Sequence, residues 1–184
     1  TAITADFNFD GRTDIGYYDA SLGKIVFRPA QNKGFLAQQT LGITFSLKDI
    51  DVQAQNADFN GDGLNDYAVY NNIGNVEIAL SNGTVMDLMV TAQNGVGGET
   101  RIGYRPSTSV INRFLPFVIP VVSSVTVSDG KGNDYRTEYD YSGGYFNASQ
   151  KEFYGFEKVR VIDGLGHYQD TRFLQDNEFV KGCL

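Results

Sequence analysis

The chain has 184 residues, 41% hydrophobic and 20% charged, with 21 Gly, 4 Pro, 13 Phe, 11 Tyr and no Trp. That length permits one or two domains, and the glycine- and aromatic-rich profile suits short strands joined by turns, not helices. A net charge of −7 argues against a nucleic-acid surface, the lone Cys183 excludes an internal disulfide, and no run of about 18 apolar residues is present to span a membrane as a helix.

The first notable segment is Asp6-Phe7-Asn8-Phe9-Asp10-Gly11-Arg12-Thr13-Asp14. It returns as Asp58-Phe59-Asn60-Gly61-Asp62-Gly63-Leu64-Asn65-Asp66, starting 52 residues later. Both read D-F-N-x-D-G-x-x-D. Oxygen-bearing side chains at positions 1, 3, 5 and 9 suit a hard cation that takes several oxygen ligands at about 2.3–2.6 Å. Glycine at position 6 permits the sharp turn that folds such a loop back on an ion. The expected ligands are therefore Asp6, Asn8, Asp10, the Arg12 carbonyl and Asp14, and likewise Asp58, Asn60, Asp62, the Leu64 carbonyl and Asp66, with Ca²⁺ as the ion. An EF-hand does not fit, because the positions of its closing Glu hold Tyr17 and Val69. A single copy reads equally well as an ordinary solvated turn, since Asp, Asn and Gly are common turn residues. Two copies with one spacing favour the cation, in a structural role.

Short β-prone runs surround each loop. Ile3 to Ala5, Asp14 to Tyr18, Lys24 to Arg28 and Phe35 to Leu41 are separated by Asp, Gly, Asn and Pro. Asp51 to Ala57, Tyr67 to Tyr70, Asn75 to Leu80 and Val85 to Val90 repeat the arrangement. A period near 50 belongs to propellers or similar arrays. The pair resembles the FG-GAP/VCBS repeat, in which each blade of a β-propeller carries such a loop. Propellers have about four to eight blades, so two repeats lead us to expect a piece of a longer chain.

From about residue 85 a second repeat takes over. Asn94-Gly95-Val96-Gly97, Asp129-Gly130-Lys131-Gly132 and Asp163-Gly164-Leu165-Gly166 lie 35 and 34 residues apart between alternating runs. Asn-Gly or Asp-Gly in that setting is a strong hairpin signal. The spacing predicts long hairpins over 90–104, 125–139 and 159–173. Alternation at Val125 and Val127, and at Val159 and Val161, predicts one apolar and one polar sheet side. Phe114 to Val122, twice interrupted by Pro, reads as a buried edge segment or crossover. Tyr139, Tyr141, Tyr145, Phe146, Phe153, Tyr154 and Phe156 are expected to stack across strands or between layers.

Catalytic readings find little support. His167 is the sole histidine and follows a turn, and neither H-E-x-x-H nor G-x-S-x-G occurs. Asp49 and Asp51 form a carboxylate pair with nothing to set them across a cleft. We expect no enzyme.

The ordered set Gly95-Val96-Gly97, Ile102-Gly103-Tyr104-Arg105-Pro106, Leu115-Pro116-Phe117, Asp129-Gly130-Lys131-Gly132, Tyr139-Asp140-Tyr141-Ser142-Gly143-Gly144-Tyr145 and Glu152-Phe153-Tyr154-Gly155-Phe156 resembles the SpvB/TcdB family. These are B components of insecticidal toxin complexes, related to RHS/YD-repeat proteins. The resemblance implies an all-β chain with two FG-GAP-like propeller blades over 1–84 and antiparallel hairpins of an RHS/YD-type β-shell over 85–184. It further implies docking and gating toward a pore-forming toxin component, a shell that encloses a toxic C-terminal effector, and a secreted, extracellular setting. Unpaired edges lead us to expect that the isolated chain self-associates. The alternative is a calcium-dependent adhesion or lectin-like β-propeller binding module of a secreted or cell-surface protein.

Overall fold

The computed structural model describes residues 2–8, 10–48, 51–82, 88–176 and 181–183. The chain forms two compact units, one made of Thr1–Asn60 with Leu64–Met86, the other of Gly61–Gly63 with Asp87–Leu184. Among the described residues both are built from strands, with a single 3-10 turn at Ser107–Ser109 and no helix long and apolar enough to cross a membrane.

In the first unit the strands are β1 (Ala2–Ala5), β2 (Asp14–Asp19), β3 (Lys24–Arg28), β4 (Ala30–Gln31), β5 (Gly34–Phe35), β6 (Gln39–Thr40), β7 (Gln53–Ala57), β8 (Asp66–Tyr70) and β9 (Val76–Ala79). They make an antiparallel sheet in the order β1-β2-β3-β6, a β4-β5 hairpin and a second antiparallel sheet β7-β8-β9. Six of the eight predicted runs coincide with strands. Phe35 to Leu41 instead divides between β5 and β6, and the start of Val85 to Val90 lies outside the described residues.

Alternation decides which side chains face inward. In β1, Ile3 and Ala5 are buried while their neighbours are exposed. Ile3, Ala5, Phe7, Ile25, Phe27, Phe45, Ala54, Tyr67 and Val69 form one core shared by the two sheets. Gly16 in β2 is required by that packing. A Cβ there would lie 2.9 Å from the Val26 carbonyl oxygen and 3.1 Å from the Phe7 ring. The 45–47 segment seals one end, with the Tyr18 hydroxyl donating to the Leu47 carbonyl and Ser46 N–H donating to Glu77 at 2.7 Å.

The second unit contains β10 (Thr91–Gln93), β11 (Glu99–Pro106), β12 (Ile111–Phe114), β13 (Pro120–Ser128), β14 (Asp134–Asn147), β15 (Glu152–Phe153), β16 (Lys158–Ile162) and β17 (Tyr168–Arg172). Their path is β10-β11-β13-β14-β16-β17, with β12 and β15 added along β14. All three predicted hairpins form, as β10-β11, β13-β14 and β16-β17.

Their turns are built alike. Asn94 Oδ1 accepts the N–H groups of Val96 and Gly98, Asp129 Oδ1 those of Lys131 and Asn133, and Asp163 Oδ1 those of Leu165 and His167. The second glycine of each turn, Gly97, Gly132 or Gly166, holds φ between +86° and +97°, a conformation open to glycine at little cost.

Two features depart from a plain stack of hairpins. β12 pairs with β14 in parallel, and a bulge interrupts β11-β13 between Gly103 and Tyr104. Phe114 to Val122 is a crossover, with Val121 buried at 6% exposure and Phe114 and Phe117 partly open.

Candidate functional site

The first loop curls around its own acids. Asp6 accepts Asp10 N–H at 3.1 Å on Oδ1 and Gly11 N–H at 2.8 Å on Oδ2. Asn8 Oδ1 accepts Asp10 N–H at 3.2 Å, and Asp10 Oδ1 accepts Arg12 N–H at 3.0 Å. Gly11 sits at φ +81°, as the position-6 turn requires, and Gly63 of the second loop sits at +89°. Asn8, Asp10 and Arg12 are exposed, Asp6 is half-buried, and Asp14 is buried. Phe9 lies outside the described residues.

The ninth residue of each loop is an anchor in the core. Asp14 Oδ2 accepts Phe7 N–H at 3.1 Å and its Oδ1 accepts Ala30 N–H at 2.7 Å. Asp66 does the same with Phe59 N–H at 2.9 Å and Ser81 N–H at 2.8 Å. Both carboxylates are essentially without solvent contact. In the second loop Asp58 and Asp62 are half-buried, Asn60 is exposed, and Leu64 is buried where the first loop has the exposed Arg12. The shared aromatic at position 2 also diverges, since Phe7 is 3% exposed and Phe59 44%.

Donor chemistry is compatible with a hard cation. Each carboxylate oxygen carries about two lone pairs, so one N–H bond per oxygen leaves the Asp6 oxygens with capacity to spare. Among the described residues, however, no three His, Cys, Asp or Glu side chains are gathered closely enough to hold a metal ion as they stand.

Beside the first loop lies a polar atom that sequence reasoning missed. Tyr67, next in chain to Asp66, is 2% exposed, and its ring stacks on Phe7 at 5.5 Å with 15° between planes. Phe7 stacks in turn on Phe27 at 4.9 Å. The Tyr67 hydroxyl is buried and has no hydrogen-bond partner among the described residues. Burial, then the negative charge of Asp6, Asp14 and Asp66, push this phenol up to about 12. A tyrosine in a β-prone run reads as a packing residue, so no local signal distinguishes it.

The other predicted residues fall elsewhere. His167 is exposed, with Nδ1 2.9 Å from Asp163 Oδ2, and this bond holds the Asp163 carboxyl below its ordinary value. Cys183 is exposed. Asp49 lies outside the described residues, while Asp51 accepts Asn72 N–H at 3.2 Å.

The second unit presents two chemically different sheet sides. Register places Arg101, Arg136, Glu138, Asp140, Arg160 and Asp170 on one side. They are tied by the pairs Arg101–Asp134, Arg105–Asp140, Arg136–Glu138, Lys158–Asp170 and Arg160–Asp170. Ile102, Val125, Thr137, Val127, Tyr135, Val159 and Val161 alternate onto the other side. That apolar side is incompletely covered, with Val127 44% and Tyr135 62% exposed.

At the far end of β14 the expected aromatics interlock, except Tyr139, which has no ring contact among the described residues. Phe117 meets Phe146 at 5.2 Å and Phe153 at 6.1 Å, Phe153 meets Phe156 at 5.7 Å, Tyr141 meets Phe156 at 5.0 Å, and Tyr145 meets Tyr154 at 5.7 Å. The buried Gln175 clamps this end by donating to the Gly143 and Gly155 carbonyls at 2.9 and 2.8 Å.

A family model described as the insecticide toxin TcdB middle/N-terminal region matches residues 28–184. No curated protein sequence matches the chain. A Photorhabdus luminescens Tc holotoxin pore carrying a TccC3 mutation is similar at 24% identity and a TM-score of 0.71, over 91% of this chain and 8% of that one. A TcdB2–TccC3 crystal structure is 22% identical with a TM-score of 0.70, over 95% of this chain and 9% of that one. TcdB2–TccC3 without its hypervariable C-terminal region is 22% identical with a TM-score of 0.69, over 92% and 9%. Identities of this size establish a shared fold. The chain spans 8–9% of the length of these structures.

Proposed function

We propose that this chain, which belongs to the insecticide toxin TcdB middle/N-terminal region family, is a non-catalytic structural and interaction segment of a toxin-complex B component. Its first unit acts as two propeller-type blades for docking and gating, and its second as the start of an RHS/YD-type shell wall. The partners are a pore-forming component, the remaining shell and an enclosed effector, in a secreted, extracellular assembly.

The observation that carries this reading is the two-sided sheet of the second unit. Six consecutive strands along one path present an ion-paired side and an apolar side left partly open. A wall needs that division, because one side must contact water while the other contacts protein.

The loops supply the proposed metal. Asp6, Asn8, Asp10, the Arg12 carbonyl and Asp14 hold one Ca²⁺, and Asp58, Asn60, Asp62, the Leu64 carbonyl and Asp66 hold another. Bound calcium ties loop oxygens together and offsets their mutual repulsion. Support comes from the hard-oxygen donor set and from the Asp6 N–H bonds that already bend the first loop.

Site-specific photo-cross-linking tests the wall. With the cross-linker at Val127 or Tyr135 in the parent protein, links to other shell strands or to cargo are expected. Binding on a glycan array, with no protein cross-links from either position, would replace this function with adhesion.

A further inference from the structure

We propose that Asn94-Gly95 is a self-modifying turn, at which the Asn94 side-chain amide becomes a carboxylate through a cyclic imide formed with the Gly95 backbone nitrogen.

The three hairpin turns share one scheme and differ at one contact. Asp129 and Asp163 each give Oδ1 to two backbone N–H groups, while Oδ2 meets a side chain at the fifth turn position. That partner is Asn133 Nδ2 at 2.7 Å in one turn and His167 Nδ1 at 2.9 Å in the other. In the first turn the fifth position is Gly98. A Cβ there would lie 2.4 Å from Asn94 Nδ2, so only glycine leaves room for the amide nitrogen. Among the described residues Asn94 Nδ2 has no hydrogen-bond partner, whereas Oδ1 has two.

This geometry favours attack on the amide carbon. As the Gly95 nitrogen closes on Asn94 Cγ, negative charge develops on Oδ1. The Val96 and Gly98 N–H groups already point at that oxygen, at 3.0 and 2.9 Å. Backbone donors fixed where charge develops lower the barrier to such a step. Gly95 carries no Cβ to obstruct the closing ring. Both residues are exposed, and a hollow of about 270 Å³ lined by Gln93, Gly95, Gly97, Gly98 and Glu99 admits water.

The bonds balance with water as the only co-reactant. The Gly95 N–Asn94 Cγ bond forms and the Asn94 Cγ–Nδ2 bond breaks. The Gly95 proton passes through solvent to the departing nitrogen, which leaves as ammonia. Water then opens the imide. Cleavage of the new N–Cγ bond gives an aspartate. Cleavage at the Asn94 backbone carbonyl gives an isoaspartate, whose extra main-chain carbon lengthens the turn.

The fold selects the first product. An aspartate at position 94 reproduces the acceptor geometry of Asp129 and Asp163. An isoaspartate adds length where the first turn abuts the second, since a Cβ at Gly130 would lie 2.5 Å from the Gly97 carbonyl oxygen. Conversion therefore sets a third carboxylate at the end of the sheet where register gathers the three turns. Because the step runs one way, it marks the age of the chain.

The test incubates the parent protein and a synthetic peptide of residues 90–100 at neutral and mildly alkaline pH. Both are then read by peptide mass spectrometry and by enzymatic isoaspartate methylation. Conversion at Asn94 is expected in the protein at a rate no lower than in the peptide. It should quicken at the higher pH, because the Gly95 nitrogen must lose its proton. Aspartate should be the major product in the protein and the minor one in the peptide. Unchanged Asn94 in the protein, or conversion slower than in the peptide, would overturn the proposal, because the turn would then protect the amide. An equal product ratio in the two would overturn selection by the fold. Asn94→Asp in the parent protein should leave protease resistance over 91–101 unchanged, and a newly cut turn would show that the fold rejects the product.

Discussion

Asp14 and Ala30 are joined across the first sheet by a 2.7 Å hydrogen bond, the Ala30 N–H donating to a carboxylate that also receives Phe7 N–H. Asp66 repeats this arrangement with Ser81 and Phe59. One side chain thus fixes both the entry of its loop and a strand connection 15 or 16 residues downstream. Replacing Asp14 with Ala strands two N–H groups in the interior, at about 1–3 kcal/mol each. We expect a loss of about 2–6 kcal/mol in urea unfolding monitored in EGTA, so that no bound ion contributes. An unchanged midpoint would refute the strut role.

Calcium should raise stability through mass action. Extracellular modules bind it at about 10⁻⁴–10⁻³ M. At ten times Kd each site contributes about 1.4 kcal/mol. Asp10→Ala or Asp62→Ala should each remove about half of the melting shift. Identical melts in excess EGTA and in several millimolar calcium would count heavily against the metal.

Asp170 provides a pH prediction. Hydrogen bonds from Arg160 and Lys158 hold its carboxyl far below the ordinary range. A depressed carboxyl adds stability above its unfolded value of about 3.9 and loses it as pH falls toward the lower folded value. The stability difference between the native chain and Asp170→Asn should therefore be flat from neutral pH to about 5 and shrink below about 4. High salt should reduce it throughout, because the pairs are surface-exposed. A difference that grows with acid would contradict the assignment.

Phe117 reaches from the crossover into the Phe146 and Phe153 rings. It is 38% exposed, so Phe117→Ala should cost less than the roughly 3–5 kcal/mol of a fully buried ring, about 1–3 kcal/mol in chemical unfolding. Hydrogen exchange should quicken around 145–156 and leave the 129–133 turn unaffected. Uniform acceleration would show that the cluster is not a local unit.

Self-association of the isolated chain follows from its edges. β10 and β17 end the strand path, and the exposed Val127, Tyr135 and Tyr168 lie on the sheet between or beside them. Sedimentation should show mass rising with concentration, and protease should cut within 85–184. A clean monomer at high concentration with that region resistant would argue for a self-contained sheet.

The short-range parts of this molecule were legible because their causes are short-range. A turn such as Asp129-Gly130-Lys131-Gly132 closes through one side chain bonding N–H groups two and four residues on. Its composition alone therefore announced the hairpin, and the same holds for Asn94 and Asp163. Alternating valines likewise encoded the apolar sheet side.

Tertiary structure decided what composition leaves equal. Phe7 and Phe59 occupy the same place in one pattern, yet Phe27 and Tyr67 bury the first and the second remains exposed. Asp14 and Asp66 were legible as loop acids, while their bonds to Ala30 and Ser81 depend on strands brought together only by folding. β14 is long enough to pair with β13, β16, β12 and β15 along its length, and the parallel contact with β12 has no periodic signal. Local hydrogen-bond geometry is written in neighbouring residues; burial and long-range pairing depend on which surfaces meet once loops close.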